Sequence, residues 1–510
     1  MQPVAHCLYQ HRKIKFMYLL GIDIGTSSVK VSVIEAHTQE IISSAQYPET
    51  EAEIIALKPG WAEQSPESWW DFTQKAILKN HQNKKYNPQD IIGIGIAYQM
   101  HGLVVVDKNQ QVLRNAIIWC DSRAVEIGEK AFQNIGEAES LSHHLNSPGN
   151  FTASKLSWVK ENEPEIFANI YKLMLPGDFI AMKLTGQITT SISALSEGIF
   201  WDFKNNQLSE KICKEFGFDT SLFPELKPVF ANHGEVKTDV ATALQLKAGI
   251  QVAYKAGDQP NNALSLNVLE PGEVAATAGT SGVIYGVSNQ LVYDQQSRIN
   301  TFAHVNYLEN QIRTGVLLCI NGTGILNSWA RKLFAKDLSY PEMNQIASQV
   351  EIGSKGLRIL PFGNGAERML NNKLIGAHIF NIDLNQHQAA HILNAVQEGI
   401  AFSFRYGLDI MRENGLNPSV IRAGKSNLFL SEVFRKAFTG ATQVPIELYQ
   451  NDGSVGAALG AGIGIKHFKT AQEAFQNQEV LATIEPQETA AYDTAYQEWK
   501  QLLNQKINNI

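Results

Sequence analysis

The same strand–turn–strand pattern occurs twice in this chain, once near its start and once in its second half. The first copy is LGIDIGTSS at residues 20–28, and the second is VAATAGTSG at 274–282. Each is typical of a β-hairpin that is closed by a tight Gly-Thr-Ser turn. A repeat with so long a period argues against a solenoid of short units. It predicts two related domains that face each other.

Between and after the two hairpins, apolar β-type runs alternate with helical patterns, as they do in α/β domains. A length of 510 residues also favours more than one domain. We expect a dispensable extension at 1–16 with Met17 as the natural start, a first domain at 17–268 and a second at 269–470. Residues 471–510 are polar, and we expect a helical tail there.

The net charge and the cysteine content indicate which partners and which compartment the chain is suited to. The chain has 43 Lys and Arg against 50 Asp and Glu, a net charge of −7, so it lacks the cationic excess that binding nucleic acid or an anionic membrane requires. No apolar run reaches the roughly 20 residues of a membrane-spanning helix. The four cysteines form no C-x-x-C pair, which favours a reducing compartment, here the cytoplasm. We interpret His143 and His144 as surface residues.

Both Gly-Thr-Ser turns have the composition of an anion cradle. Glycine lets backbone approach a ligand closely, and Thr and Ser hydroxyls with successive N–H groups can surround a phosphate. Asp23 would repel a phosphate unless a cation lay between them, so we expect it to contact Mg²⁺. The alternative is an ordinary hairpin turn. The predicted phosphate-binding residues are Gly25, Thr26, Ser27, Gly279, Thr280, Ser281 and Gly282.

A predicted strand at 250–254 ends just before Gly257-Asp258, which places a carboxylate where it can face a cleft. We interpret Asp258 as a general base that accepts a proton from a substrate hydroxyl as that hydroxyl attacks a phosphoryl group. Gln259 would bind a neighbouring hydroxyl. Helix N-capping by Asp258 is the alternative.

Gln99, Met100 and His101 lie at a predicted turn between two apolar strands. A polyol needs hydrogen-bonding groups of this kind, since unmatched hydroxyls in a dry site are costly. A satisfied polar turn would explain them equally well. For Trp61 and Trp119 we expect core positions, with the charged residues near them at the surface.

A third loop follows the short strand near residue 421 and opens a helix, an arrangement that suits nucleotide contacts through backbone N–H groups. Its candidate residues are Gly424, Lys425 and Asn427.

Taken together, these motifs resemble the FGGY family of carbohydrate kinases. The resemblance covers most of the chain, from Met17 to about residue 465, and it depends on the joint order of the motifs. The matching stretches are GIDIGTSSVK at 21–30, GWAEQSPESWW at 60–70, YQMHG at 98–102, WCDSR at 119–123, AGDQP at 256–260, AGTSG at 278–282 and AGKS at 423–426.

The resemblance implies two ribonuclease-H-like domains of the actin-like ATPase fold, with the active site in the cleft between them. It also implies ATP-dependent phosphorylation of a sugar hydroxyl, and the motifs look most like those of the branch that acts on D-xylulose at its 5-position. By position, Asp258 looks like the catalytic base of the family, Met100 and His101 like sugar-binding residues, and Gly424, Lys425 and Asn427 like the adenosine side. ATP, Mg²⁺ and a sugar are the expected ligands, and a homodimer is one candidate assembly.

Other functions fit part of the pattern. A kinase for glycerol, L-ribulose, L-fuculose or gluconate would share the motifs. A non-catalytic actin-like ATP-binding or chaperone-type ATPase would have the two phosphate turns but no need for Asp258. A sugar-sensing regulator without activity is disfavoured because Asp23 and Asp258 are both present.

Overall fold

A computed structural model describes residues 16–509, so the extension expected at 1–16 lies, apart from its last residue, outside the described residues. Up to residue 268 the strands are β1 Tyr18–Ile24, β2 Val29–Glu35, β3 Ile41–Tyr47, β4 Glu63–Gln64, β5 Ile91–Tyr98, β6 Val104–Val106, β7 Ala116–Ile117, β8 Lys172–Met174, β9 Thr189–Thr190, β10 Trp201–Asp202, β11 Gln207–Leu208, β12 Glu225–Leu226 and β13 Gln251–Gly257. The helices are α1 Pro66–Gln82, α2 Val125–Ile135, α3 Glu137–His144, α4 Thr152–Asn162, α5 Pro164–Ala168, α6 Pro176–Thr185, α7 Ile192–Glu197, α8 Glu210–Phe216, α9 Thr238–Ala243 and α10 Asp258–Ser265.

After residue 268 the strands are β14 Val274–Ala278, β15 Gly282–Ser288, β16 Asn300–Ala303, β17 Thr314–Ile320, β18 Arg358–Phe362, β19 Gly376–Phe380, β20 Ile421–Gly424, β21 Ile446–Tyr449 and β22 Val480–Ile484. The helices are α11 Gly324–Phe334, α12 Tyr340–Ala347, α13 Ala389–Glu413, α14 Glu432–Thr442, α15 Gly453–Gly464 and α16 Thr489–Asn508.

The two halves of the chain are built on sheets of the same design. The first sheet has the strand order β3-β2-β1-β5-β13, with β1, β5 and β13 parallel and β1, β2 and β3 antiparallel. The second sheet repeats this order as β17-β15-β14-β20-β21 and adds β16 and β22 at its edges. Two ribonuclease-H-like domains of the actin-like type, as expected from the sequence, are therefore confirmed.

One helix of each half lies at the junction between the two halves. Helix α15 follows the last inner strand of the second sheet, yet it packs on β1, β5 and β13 of the first. A side chain at Gly21 would overlap the carbonyl oxygen of Ser454, and one at Gly95 would overlap that of Ala457, so the glycines permit this close approach. Helix α10, the counterpart that follows β13, packs against α15 and contacts β14 and β15. These two helices thus connect the domains beside the expected cleft.

The segment at 471–510 is more than a polar tail. Its strand β22 pairs antiparallel with β21, and in α16 the side chains of Trp499 and Leu503 are fully buried in the core of the second domain. The boundary at residue 268 remains our proposal.

The segment between β7 and β13 packs through α7 against β16 of the second sheet. The amide of Asn146 donates to the carbonyl oxygen of Thr301 at 2.6 Å and accepts from its N–H at 3.0 Å, as a neighbouring strand would. The surface placement of His143 and His144 is wrong, because both are buried at the end of α3. Adjacent side chains on a helix diverge, and His143 here meets Asp202 while His144 meets the Ser209 hydroxyl.

No helix within residues 16–509 is both long enough and apolar enough to cross a membrane.

Candidate active site

The first Gly-Thr-Ser turn joins β1 to β2 and is fixed through Thr26. The Gly25 N–H donates to the Ser28 carbonyl at 3.0 Å and closes the turn. The Thr26 hydroxyl donates to Gln99 Oε1 at 3.3 Å and accepts from Trp119 Nε1 at 3.0 Å. Ser27 at the tip is exposed. The turn is therefore held from one side, while its tip is free to meet a ligand.

Gln99 belongs to the support of this turn. Its amide nitrogen donates to Gln64 Oε1 at 3.1 Å, its amide oxygen accepts from Thr26, and the residue is 2% exposed. Both polar groups of the side chain are thus engaged within the protein. Gln99 therefore positions Thr26, and its contact with a sugar stays a prediction.

Asp23 lies near the end of β1, against the first turn of α15. A side chain at Gly453 would overlap the Asp23 carboxylate, so this carboxylate depends on glycine at the helix start. Burial, and then the negative charge of Asp452, raise the pKa of Asp23 to about 6, with Lys30 acting in the opposite direction. Lys30 itself is paired with Asp452.

Asp258 is the first residue of α10 and follows directly on β13. Burial, and then the charge of Asp23, raise its pKa to about 7. Its Oδ1 is buried and has no hydrogen-bond partner among residues 16–509, and the same holds for Gln259 Oε1. The strand end thus presents two adjacent side chains with unused acceptor oxygens, as a sugar-binding site requires.

Met100 and His101 lie next to this strand end. A Cβ at Gly257 would come within 2.5 Å of Met100 Cγ, so the turn that carries Met100 packs directly on the residue before Asp258. The His101 ring is surrounded by Phe151 and by Phe302 of the second domain, with ring centroids 4.8 and 5.4 Å away. The structure therefore brings the predicted sugar-binding turn and the predicted base together, at the junction of the two domains.

The second Gly-Thr-Ser turn joins β14 to β15 and is bound to the start of α11. The N–H groups of Gly324 and Ile325 donate to the carbonyl oxygens of Gly279 and Thr280 at 2.9 and 3.1 Å. A side chain at Gly282 would meet Phe404 within 2.5 Å, which explains glycine at the last position of the turn. Ser281 completes the turn between Thr280 and Gly282.

A cavity of about 890 Å³ begins at this second turn, large enough for a nucleotide. Gly279, Thr280 and Asn427, all predicted phosphate or nucleotide residues, line it, whereas Gly424 and Lys425 do not. Ala423, in the third loop region, lies in β20 and does not have a positive φ. An alanine therefore fits its backbone conformation, and glycine is not required there. Motif reasoning did not find the wall formed by α11 and α12, which includes Asn327, Tyr340 and Asn344.

The expectation of core tryptophans with surface charges around them is wrong for this part of the chain. Trp119 is 52% exposed, beside the first turn, whereas the side chains of Asp121 and Arg123 are almost fully buried as an ion pair. Arg123 also lies 3.8 Å from the centre of the Trp61 ring and pairs with Glu63, which compensates for its burial.

Three further polar residues near His101 were missed because no local motif marks them. Glu197 at the end of α7 and Lys155 in α4 are buried and contact His101. Burial lowers the pKa of His101, and the charges of Lys155 and Arg368 lower it further, which places Arg368 near this ring. These residues are distant in sequence, so only the fold brings them to the site.

The residues at the first turn fit Mg²⁺ that arrives with a nucleotide. The carboxylates of Asp23 and Asp258 interact electrostatically, and a cation near both would relieve their repulsion. Mg²⁺ is usually bound through one or two carboxylates with water and substrate phosphates. Groups of three or more His, Cys, Asp or Glu side chains that could hold a metal are absent from residues 16–509.

Comparison with known families accounts for this arrangement. The model of the FGGY carbohydrate kinase N-terminal domain matches residues 18–265, and that of the C-terminal domain matches residues 274–465. The chain belongs to the FGGY family of carbohydrate kinases. It is therefore a phosphotransferase, and FGGY kinases use ATP as a substrate.

Individual relatives agree on the family and differ in substrate. The chain is 30% identical over 416 residues to a xylulose kinase of Haemophilus influenzae, covering 80% of this chain and 82% of that protein. A ligand-bound xylulose kinase of Lactobacillus acidophilus superposes with a TM-score of 0.87 at 21% identity, over 96% of this chain and 98% of that one. A glycerol kinase of Plasmodium falciparum crystallised with ADP superposes with a TM-score of 0.86 at 22% identity, with the same coverage. The fold is thus shared by kinases named for different substrates.

Proposed function

We propose that this kinase transfers the γ-phosphoryl group of ATP to the 5-hydroxyl of D-xylulose and forms D-xylulose 5-phosphate. The proposal is supported by the similarity to xylulose kinases over most of the chain. The observation that carries the chemistry is Asp258, a carboxyl at a strand end beside Met100 and His101, with an oxygen that has no hydrogen-bond partner among residues 16–509.

In this proposal Asp258 is the general base. Its carboxylate accepts the proton of the attacking hydroxyl as the oxygen of that hydroxyl forms its bond to the γ-phosphorus, and ADP leaves. A base is most effective when its pKa lies near the working pH, and the pKa of Asp258 is about 7. Gln259 would hold a neighbouring hydroxyl through its free amide oxygen.

The two Gly-Thr-Ser turns would hold the phosphates. Gly25, Thr26 and Ser27 face the transferred group, and Gly279, Thr280, Ser281 and Gly282 face the phosphates of the nucleotide, whose adenosine occupies the cavity beside Asn427. When bound at Asp23, Mg²⁺ supplies positive charge that stabilises the transferring phosphoryl group. Gly424 and Lys425 lie outside the cavity wall, so we expect any contribution from them to be indirect.

Water must be kept from the place of the attacking hydroxyl, since it would otherwise hydrolyse ATP. The sugar residues belong to the first domain and the nucleotide cavity to the second. Closing of the cleft would bring the two substrates together and expel water. The helices α10 and α15 are the elements about which we expect the domains to move.

A kinase for another polyol is the second candidate function. The side chain of Gln259 supports it. The residue next to the base has a buried amide oxygen without a hydrogen-bond partner among residues 16–509, and this oxygen can accept from a hydroxyl of any of these substrates. A cytoplasmic location and a homodimeric assembly also remain proposals.

A panel of substrates tests the proposal. D-xylulose, L-ribulose, L-fuculose, gluconate and glycerol are each supplied with MgATP, ADP release is measured, and a reaction without sugar is the control. We expect the highest kcat/KM for D-xylulose, by about tenfold or more. A higher kcat/KM for another compound of the panel would identify that compound as the substrate instead of D-xylulose. ATP turnover that no member changes would indicate a non-kinase ATPase.

A further inference from the structure

The backbone of His101 is held by side chains from two distant helices. His101 has a φ of +63°, which places a residue other than glycine in the left-handed region. Such a conformation persists only where the surroundings fix it. The His101 N–H donates to Glu197 Oε1 at 3.3 Å, and its carbonyl oxygen accepts from Lys155 Nζ at 2.9 Å. Both polar backbone groups of His101 are therefore engaged.

The same contacts determine which ring nitrogen carries the proton. His101 Nδ1 lies 3.0 Å from the backbone carbonyl oxygen of Glu197, and a carbonyl can only accept, so Nδ1 must be the protonated nitrogen. Burial, and then the charge of Lys155, lower the pKa of His101 to about 3, so the ring is neutral. Within the described part of the chain Nε2 has no hydrogen-bond partner, and its lone pair is available to a ligand.

Glu197 is a buried carboxyl, and one of its two oxygens has no hydrogen-bond partner among the described residues. It is 1% exposed, and its Oε2 forms no hydrogen bond to any described residue. That oxygen lies 2.7 Å from the place of a Cβ at Gly257, so Glu197 also contacts the strand end that carries Asp258. Burial, with the charges of Asp258 and Asp178, raises the pKa of Glu197 well above its ordinary value. A neutral carboxyl has the shape of a glutamine amide, and either can accept from the His101 N–H through Oε1.

We propose that Glu197 is a positioning residue of the sugar subsite: its side chain holds the backbone of His101, and its backbone carbonyl, which accepts from Nδ1, leaves Nε2 as a hydrogen-bond acceptor for one hydroxyl of the sugar. The inference rests on the proposed function, because it takes the sugar to bind at His101. It adds a residue that no sequence motif marks, and it fixes the direction of the hydrogen bond between histidine and sugar.

The first test needs no activity and therefore stands even if the substrate is misassigned. Nitrogen-15 spectra of protein labelled at histidine, with His101→Asn to assign the signals, report the proton on each ring nitrogen. We expect Nδ1 protonated and Nε2 unprotonated in the wild type and in Glu197→Gln. In Glu197→Leu the backbone of His101 loses its side-chain anchor, so we expect the ring to leave the carbonyl of residue 197 and to exchange between the two tautomers. Protonated Nε2 in the wild type, or unchanged signals in Glu197→Leu, would overturn the inference.

The second test separates positioning from general stability. We expect Glu197→Leu to raise the sugar KM about tenfold, as loss of one buried hydrogen bond does, with the ATP KM unchanged, and Glu197→Gln to restore the wild-type value. Glu398 offers a matched control in the second domain, since it is also buried, accepts from the Gly353 N–H at 2.8 Å and has an unpartnered Oε2.

Glu398→Leu should leave the sugar KM unchanged. Equal effects of the two leucine variants on the sugar KM would show a merely structural role and refute the inference. If Glu197→Leu does not fold, the wild-type spectrum still decides the tautomer. If no sugar of the panel is phosphorylated, the proposed function fails, while the tautomer test remains valid.

Discussion

The carboxyl of Asp258 combines two properties that conflict in an ordinary protein interior. It must be charged to accept a proton, and its surroundings disfavour that charge through burial and through Asp23. The result is a carboxyl whose pKa is about 7, against 3.8 for an ordinary aspartate. Both its reactivity and its effect on stability follow from this single shift.

The first prediction concerns the pH dependence of activity. The base works only when ionised, so kcat/KM for the sugar at low MgATP should fall about tenfold per pH unit below the pKa of Asp258, near 7. Saturating MgATP brings positive charge near Asp258 and should move this limb to lower pH. A profile that stays flat between pH 5.5 and 8 at both nucleotide concentrations would argue against Asp258 as the base.

The second prediction concerns stability. The folded state binds the Asp258 proton more tightly than the unfolded chain, so stability is lost as pH rises from the unfolded pKa near 4 through the folded value near 7. Asp258→Asn removes this loss. We expect the variant to be more stable than the wild type by about 4 kcal/mol at pH 8 and equally stable at pH 4, by urea unfolding without ligands. A variant that is less stable at pH 8 would show that the carboxylate is well accommodated.

At the residue scale, the sequence predicted what local chemistry determines. A glycine-rich turn after a buried strand and a carboxylate at a strand end have recognisable patterns, and Thr26, Thr280 and Asp258 lie where these patterns place them. Glu197 was not predictable, because its partner His101 is brought to it only by the fold. The exposure of Trp119 was missed for the same kind of reason, since a tryptophan in an apolar run is more often buried.

At the scale of elements, the packing of α15 on the sheet of the first domain is the feature that sequence patterns could not reveal. The partner surface includes Gly21 and Gly95, which lie far away in sequence. The helix α16 was expected from its sequence pattern. Its position in the core of the second domain was not, because Trp499 packs there against residues of other elements.

The third prediction tests the packing of α15 on β1. In Gly21→Ala the new methyl group would overlap the carbonyl oxygen of Ser454 in α15, which is backbone and cannot move alone, so we expect a loss of roughly 3 kcal/mol or more. Gly93→Ala is the matched control in the neighbouring strand, because its methyl would meet only side-chain atoms of Ile465 and Leu19 at 3.3–3.4 Å. Denaturant unfolding measures both. Equal stabilities would contradict the close contact between β1 and α15.

At the scale of the whole molecule, the two domains divide the task. In the proposed mechanism the first contributes the base and the turn with Met100 and His101, and the second contributes the cavity for the nucleotide. The repeat in the sequence predicted this pairing, because two similar hairpins imply two similar sheets. Which sugar fits the site depends on side chains drawn from both domains, and their arrangement is beyond what one sequence specifies.

The fourth prediction is a requirement for divalent metal. Asp23 and Asp258 repel one another and the nucleotide phosphates, so transfer should need Mg²⁺ to balance these charges. ADP release in the presence of sugar should fall at least about 100-fold when the metal is removed by excess chelator, and added Mg²⁺ should restore it. Full activity in excess chelator would exclude a role for Mg²⁺ at Asp23 in the first turn.

The most direct test of the account is to remove the base while following binding and turnover in the same protein. Asp258→Ala is compared with the wild type by ADP release with MgATP and D-xylulose, and sugar binding is measured by calorimetry. The account predicts that turnover falls about 10²–10⁴-fold or below detection, the range for a lost general base, while sugar binding stays measurable. Turnover close to that of the wild type would contradict the assignment of Asp258 and the mechanism built on it.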